Sequence, residues 1–189
     1  MPPGGSTGPN EQVDKESTRQ ARLRRHFDSE RSRLRTGYLR TLENWSSFYP
    51  GDRIFVGFLE DVHLFPDRLL GDLYDFLGVD PSFRPPGMDR RVHVRSVDRV
   101  PAEPVTYLAR LYREEIEGLS ERFGGYASFW LHCAEHLAED PPEDGLVAYP
   151  LWDSPMWAEW LARSGPGPDE RPRYGSGSLA SLGAARPNL

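Results

Sequence analysis

Glu60 and Asp61 follow directly on the apolar run Ile54-Phe55-Val56-Gly57-Phe58-Leu59. If that run is a strand, the two carboxylates stand at its carboxyl end, where α/β sheets bind their ligands. They would then serve as an acid pair on the cofactor or active-site side. The simpler role is architectural, with one of them capping the next turn or meeting an arginine. Four histidines, His63, His93, His132 and His136, invite a metal or proton-transfer reading. Only His132 and His136 stand four apart, as neighbours on one helix face do, and two ligands without a third do not make a metal site. Cys133 lies between them without a context that would activate a thiolate, so it reads as a buried, inert thiol. The five tryptophans, at 45, 130, 152, 157 and 160, read as core anchors, with Trp152 to Trp160 able to dock on another surface.

The elements that would position these groups follow from apolar spacing. Leu34, Tyr38, Leu42, Trp45 and Phe48 recur at threes and fours and predict one helix with Ser29 as its cap; Pro50-Gly51-Asp52 stops it. Arg53 to Leu59 reads as a strand buried on both faces, with Gly57 marking a close approach of backbone. Pro66 opens a further helix through Leu69, Leu70, Leu73, Phe76 and Leu77, and Gly78 ends it. Residues 79–103 read as loop. A helix runs from Pro104 to Phe123, and a shorter one from Tyr126 to Ala138. Gly145 to Tyr149 is a poor strand candidate, so the one clear strand needs neighbours that this chain does not plainly supply.

Composition narrows the classes. The chain has 189 residues and a net charge of −6. Residues 1–40 carry nine basic and five acidic groups, and the remainder fourteen and twenty-four. The acidic bulk argues against a nucleic-acid partner. The arginines between Arg19 and Arg40 read as a solvated helix face. No apolar run is long enough for a membrane span. A single cysteine suits a reducing, cytoplasmic setting. Residues 1–16 read as a disordered lead and 163–189 as a disordered tail, leaving a domain at 17–140 and a Trp-rich docking segment at 141–162.

In order and spacing, several stretches resemble the carboxyl-terminal half of the sulfotransferases, closest to the bacterial and heparan-sulfate-type members. They are Thr36-Gly37-Tyr38…Leu42…Trp45…Phe48-Tyr49-Pro50, the run from Arg53 to Asp61, Pro66, and Phe76-Leu77-Gly78. The match covers roughly residues 29–130. The resemblance implies a helix-rich α/β fold, part of a P-loop-kinase-like sulfotransferase fold, with one clear strand and about four helices. It implies transfer of a sulfuryl group from 3′-phosphoadenosine 5′-phosphosulfate (PAPS) to a hydroxyl or amine of a small-molecule or saccharide acceptor. By the same resemblance Arg95 and Ser96 fall in a loop placed to approach the nucleotide's 3′-phosphate, and an arginine fork suits phosphate oxygens. Glu60 and Asp61 would lie on the cofactor side, though the pair is largely architectural in that family. Leu59 stands where an aromatic residue is usual. The family's lysine-bearing phosphosulfate loop is not reproduced, since Pro2 to Pro9 has no lysine and no preceding strand. No catalytic residue is therefore assigned, and the expectation is a sulfotransferase-family chain doubtful as a catalyst alone. A missing amino-terminal half or a protein partner would complete it. The competing expectation is a non-catalytic helical docking module that completes a partner's sheet.

Overall fold

A computed structural model describes residues 9–88 and 98–164 of the chain. The first helix, α1 (Pro9–Phe27), begins inside the stretch expected to be a disordered lead. Glu11, Gln12, Lys15 and Glu16 favour helix but offer no apolar stripe, so periodicity is silent there. Arg24 pairs with Glu103 at 2.5 Å, and the Tyr107 hydroxyl donates to Asp28 at 2.6 Å, which ties this helix to the second half of the chain.

Ser29 caps α2 (Glu30–Thr36) as expected, its hydroxyl oxygen accepting from the Ser32 N–H at 3.3 Å. The single helix expected from there to Phe48 is instead broken at Gly37, whose ψ of 72° is not helical, and α3 (Tyr38–Phe48) starts afresh. The break re-phases the stripe. Leu39 and Leu42 pack inward, while Leu34, Tyr38, Trp45 and Phe48 face solvent.

The strand expected at Arg53–Leu59 does not form. Gly51–Arg53 is a 3-10 turn, Ile54 and Phe58 are extended at the two ends of a run 54–58 that has no neighbouring strand among the described residues, and Leu59 opens α4 (Leu59–Leu64). A strand exists only by cross-chain pairing, and the described residues place none beside this run. The sheet that does form lies elsewhere. β1 (Arg99–Pro101) and β2 (Leu146–Ala148) pair antiparallel with Val100 opposite Val147. In sequence the first reads as loop and the second as a poor strand candidate, because three residues are too few to show alternation.

The next helix matches its expectation. α5 (Pro66–Leu77) has proline in its first turn, where no N–H is needed, and Gly78 closes it at φ +66°. The helix expected from Pro104 to Phe123 is two, α6 (Ala102–Leu111) and α7 (Arg113–Phe123), kinked at Tyr112. The hydrogen-bond ladder runs on through the kink, from Tyr112 N–H to Leu108 and from Ile116 N–H to Tyr112. α8 (Gly125–Glu139) and α9 (Pro155–Ser164) complete nine α-helices among the described residues, against about four expected. The molecule is helix-rich with one small two-stranded sheet.

α8 is the axis. One core cluster gathers Phe129, Cys133 and Leu137 of α8 with Val147, Met156 and Trp160, and Ala102, Ala109 and Ala134 let α6 come close. The other gathers Phe58 with Leu119, Phe123, Tyr126 and Ala127, and Leu39 and Leu42 of α3 pack against it. Trp130 and Trp157 touch both. The Trp-rich segment 141–162 therefore supplies core to its own chain.

Candidate functional site

The two carboxylates singled out by sequence stand in the first turn of α4, immediately after the extended run. Glu60 is 5% exposed and Asp61 fully buried. The Trp130 indole N–H donates to Glu60 Oε1 at 2.5 Å, and the Tyr126 hydroxyl donates to Asp61 Oδ1 at 3.1 Å. Both donors belong to α8, so the pair fastens the turn after the extended run to the central helix. Burial raises the Glu60 carboxyl above its ordinary range, and the indole hydrogen bond offsets part of that rise. Glu60 Oε2 has no hydrogen-bond partner among the described residues. Neither the partners Trp130 and Tyr126 nor the pairing was legible in sequence; they come from a helix some 65–70 residues away.

This arrangement does not suit a phosphosulfate. Two buried carboxylates facing indole and phenol donors would repel such an anion, and the described part of the pair's surroundings offers no lysine to it. Arg95 and Ser96, assigned to the nucleotide's 3′-phosphate by resemblance, lie outside the described residues, as does His93.

The remaining candidates separate. His63 Nδ1 donates to the Leu59 carbonyl at 2.9 Å, and its ring lies 5.2 Å from that of Trp152. His132 and His136 have ring centres 6.3 Å apart, and no group of three metal-binding side chains exists among the described residues. Burial holds His132 below its ordinary pKa. Burial likewise pushes the Cys133 thiol up, which keeps it protonated and inert as expected. Trp160 is a core anchor and Trp130, Trp152 and Trp157 pack against the core, whereas Trp45 is 54% exposed. The arginines of residues 19–40 are exposed, as expected of a solvated face.

The feature with most chemical capacity left is the extended run itself. Successive side chains point to opposite faces. On one face the Phe55 ring packs at a tilt against Phe76 of α5 with centroids 5.4 Å apart, and a Cβ at Gly57 would lie 3.2 Å from Leu69 of that helix. On the other face Phe58 packs on Phe123, Tyr126 and Trp130 of α7 and α8. The run is thus held between two helical layers. Its main chain is open at the side: Phe55, Val56 and Gly57 make no main-chain hydrogen bond among the described residues. Beside it an open groove of about 540 Å³ is lined by Leu42, Trp45 and Tyr49 of α3 and by residues 53–57. Sequence reasoning found the run and missed that α3 lies along it with its aromatics uncovered.

No described helix is long and apolar enough to cross a membrane. Comparison with protein-family models, with curated proteins and with solved structures gave no match for this chain.

Proposed function

We propose that this chain is the helical part of a sulfotransferase-like protein. Its role is to hold one strand-forming run between two layers so that the rest of a sheet can be completed against it. In the assembled protein a sulfuryl group passes from PAPS to a hydroxyl or amine acceptor. The groups that grip the donor nucleotide are not the buried pair Glu60 and Asp61. The observation that supports this reading is the run 54–58, apolar toward helices on both faces, in which Phe55, Val56 and Gly57 make no main-chain hydrogen bond among the described residues. It sits within the order of motifs that carries the resemblance: a Gly-x-Tyr helix, the run, the acid pair, a proline-started helix and Phe-Leu-Gly.

Calorimetric titration of the 189-residue chain with adenosine 3′,5′-bisphosphate tests it. The expected result is no heat up to about 1 mM. A dissociation constant tighter than about 100 μM would overturn the scaffold reading and make the chain a nucleotide binder in its own right. Loss of that binding in Arg95→Ala would then place the 3′-phosphate.

A second reading, a docking module without catalysis, is favoured by a specific observation. Among the described residues, twelve of the fourteen large apolar side chains that are exposed fall between Leu34 and Phe83, around the same run. The two readings differ in whether the completing segment carries a phosphate-binding loop.

A further inference from the structure

We infer that the carboxyl-terminal end of the seam between α3 and α7 is an oxyanion site, where the Arg122 guanidinium and the Ser46 hydroxyl together hold a carboxylate, sulfate or phosphate group. Neither residue is among the motifs that support the proposed function.

Register brings the two residues to one place. Thr36 and Gly37, just ahead of α3, line a groove with Tyr112 and Glu115 at the start of α7. Further on, the Leu39 N–H donates to Glu115 and the Leu39 side chain meets Gly118. The two helices therefore run side by side in the same direction, with Leu39 and Glu115 separated by 76 positions. Leu39, Leu42 and Ser46 repeat at threes and fours along one face of α3, as Glu115, Gly118 and Arg122 do along one face of α7. Ser46 and Arg122 are separated by the same 76 positions, so register sets them opposite each other about two turns beyond Leu39 and Glu115.

The two ends of the seam differ in how their polar groups are met. At the first end the Glu115 carboxylate accepts from a main-chain N–H. At the second end donors stand without an acceptor. Arg122 Nε and Nη2 and Ser46 Oγ are buried atoms with no hydrogen-bond partner among the described residues. Arg122 enters none of the ion pairs among those residues. Neighbouring hydroxyls behave otherwise: Thr36, Thr41 and Ser47 each donate to a carbonyl three or four residues back. Ser46 makes no such bond, which leaves its hydroxyl for the seam.

The donor set selects the ligand. Nε–H and one Nη2–H lie on the same edge of the planar guanidinium and match two oxygens of one carboxylate, sulfate or phosphate. The Ser46 hydroxyl adds a third donor. A buried cationic edge left without a counter-charge is costly, and a neutral water supplies none. The carboxyl ends of α3 and α7 disfavour an anion here by a fraction of what a charge-assisted fork supplies. α8 opens three residues after Arg122 with no side-chain cap, and its amino-terminal dipole acts the other way. Both residues keep some exposed surface, so an anion reaches them from solvent.

The test follows the Arg122 Nε–H resonance of the full chain by proton–nitrogen NMR. Sulfate, phosphate or acetate is added against chloride at equal ionic strength. Arg122→Lys, which keeps the charge and removes the fork, assigns the resonance by its loss. The expected result is a saturable downfield shift with a dissociation constant of about 1 mM or tighter. Thermal unfolding should show the same anion raising the midpoint of the parent, with binding weakened about tenfold in Arg122→Lys and about threefold in Ser46→Ala. Circular dichroism checks that each variant is folded, and the Ser46→Ala comparison stands even if Arg122→Lys does not fold. A preference for acetate identifies the ligand group as a carboxylate, and a preference for sulfate or phosphate identifies a tetrahedral oxyanion; each supports the site. Absence of any shift up to about 50 mM of the three anions, or an equal response to chloride, overturns it. A slowly exchanging Nε–H that ignores every anion overturns it in favour of an ordered water. Binding unchanged in folded Ser46→Ala overturns the placement at the seam.

Discussion

At the residue scale the decisive fact is that Glu60 is spent inward. Its carboxyl is buried, raised above its ordinary value of 4.5, and held by an indole N–H. A carboxyl whose folded value is raised contributes most to stability while it is protonated, below 4.5, and loses that contribution as pH rises through the folded value. Glu60→Gln keeps an oxygen for Trp130 and removes the charge. Urea unfolding should therefore find the variant more stable than the parent at pH 7.5, with the gap closing toward pH 4.5. A gap independent of pH would mean that the carboxyl is not desolvated. Trp130→Phe should act oppositely. It deletes the indole donor to a buried carboxyl and should cost about 1–3 kcal/mol. Cys133, with its thiol pushed up by burial, should resist iodoacetamide in the native chain and react once the chain is unfolded in urea at the same pH.

Among elements, the groove depends on α3 being seated on α7. Leu39 makes that contact twice over. Its N–H donates to Glu115 of α7 at 2.7 Å, and its side chain lies against Gly118, where a Cβ would stand 2.6 Å from Leu39 Cδ1. Gly118→Ala asks only the end of a flexible side chain to move and gains helix propensity. Gly118→Val cannot be absorbed so easily and should cost about 1–3 kcal/mol. Thermal unfolding of the two variants separates them: a Val variant as stable as the Ala variant would show that α3 is loosely seated. At the end of α5, Gly78 sits at φ +66° with open space around it, so Gly78→Ala should cost about 1 kcal/mol through backbone strain alone.

Over the whole molecule the two halves differ in how finished they are. Around α8 the side chains of Phe129, Leu137, Met156 and Trp160 are buried, and Trp160→Ala should cost about 3–5 kcal/mol. Around residues 34–83 many large apolar side chains face outward, Phe48 at 82% exposure, although Phe58, Leu39 and Leu42 turn inward. Such a concentration of exposed apolar surface marks an interaction face or an aggregation liability. Phe48→Glu should leave the unfolding midpoint within about 0.5 kcal/mol of the parent and reduce light scattering at high concentration. A large loss of stability would show that Phe48 is covered by its own chain.

Local chemistry was readable from sequence wherever it acts over a few residues. Ser29 as a cap, Pro66 as a helix start, Gly78 as a stop and the inert Cys133 all depend on neighbours within a turn or on hydrophobicity alone, and they stand as read. That the run 54–58 would not be helical, with Ile54 and Phe58 extended, was also legible, because β-branched and aromatic residues between turn formers favour extended backbone. Whether that run became a strand was not, since pairing needs a second backbone and the described chain sends none to its side. The short strands β1 and β2 show the converse, too brief to carry a pattern yet fixed by each other. The same limit hid the partners of the acid pair: that Glu60 meets Trp130 and Asp61 meets Tyr126 follows from α8 passing behind α4. The sequence by itself determined the cap at Ser29, the helix from Pro66 to its stop at Gly78 and an acidic pair after an apolar run. Only the tertiary structure decided that the pair faces inward and the run's edge faces out, because burial and pairing belong to contacts between distant segments, not to any one of them.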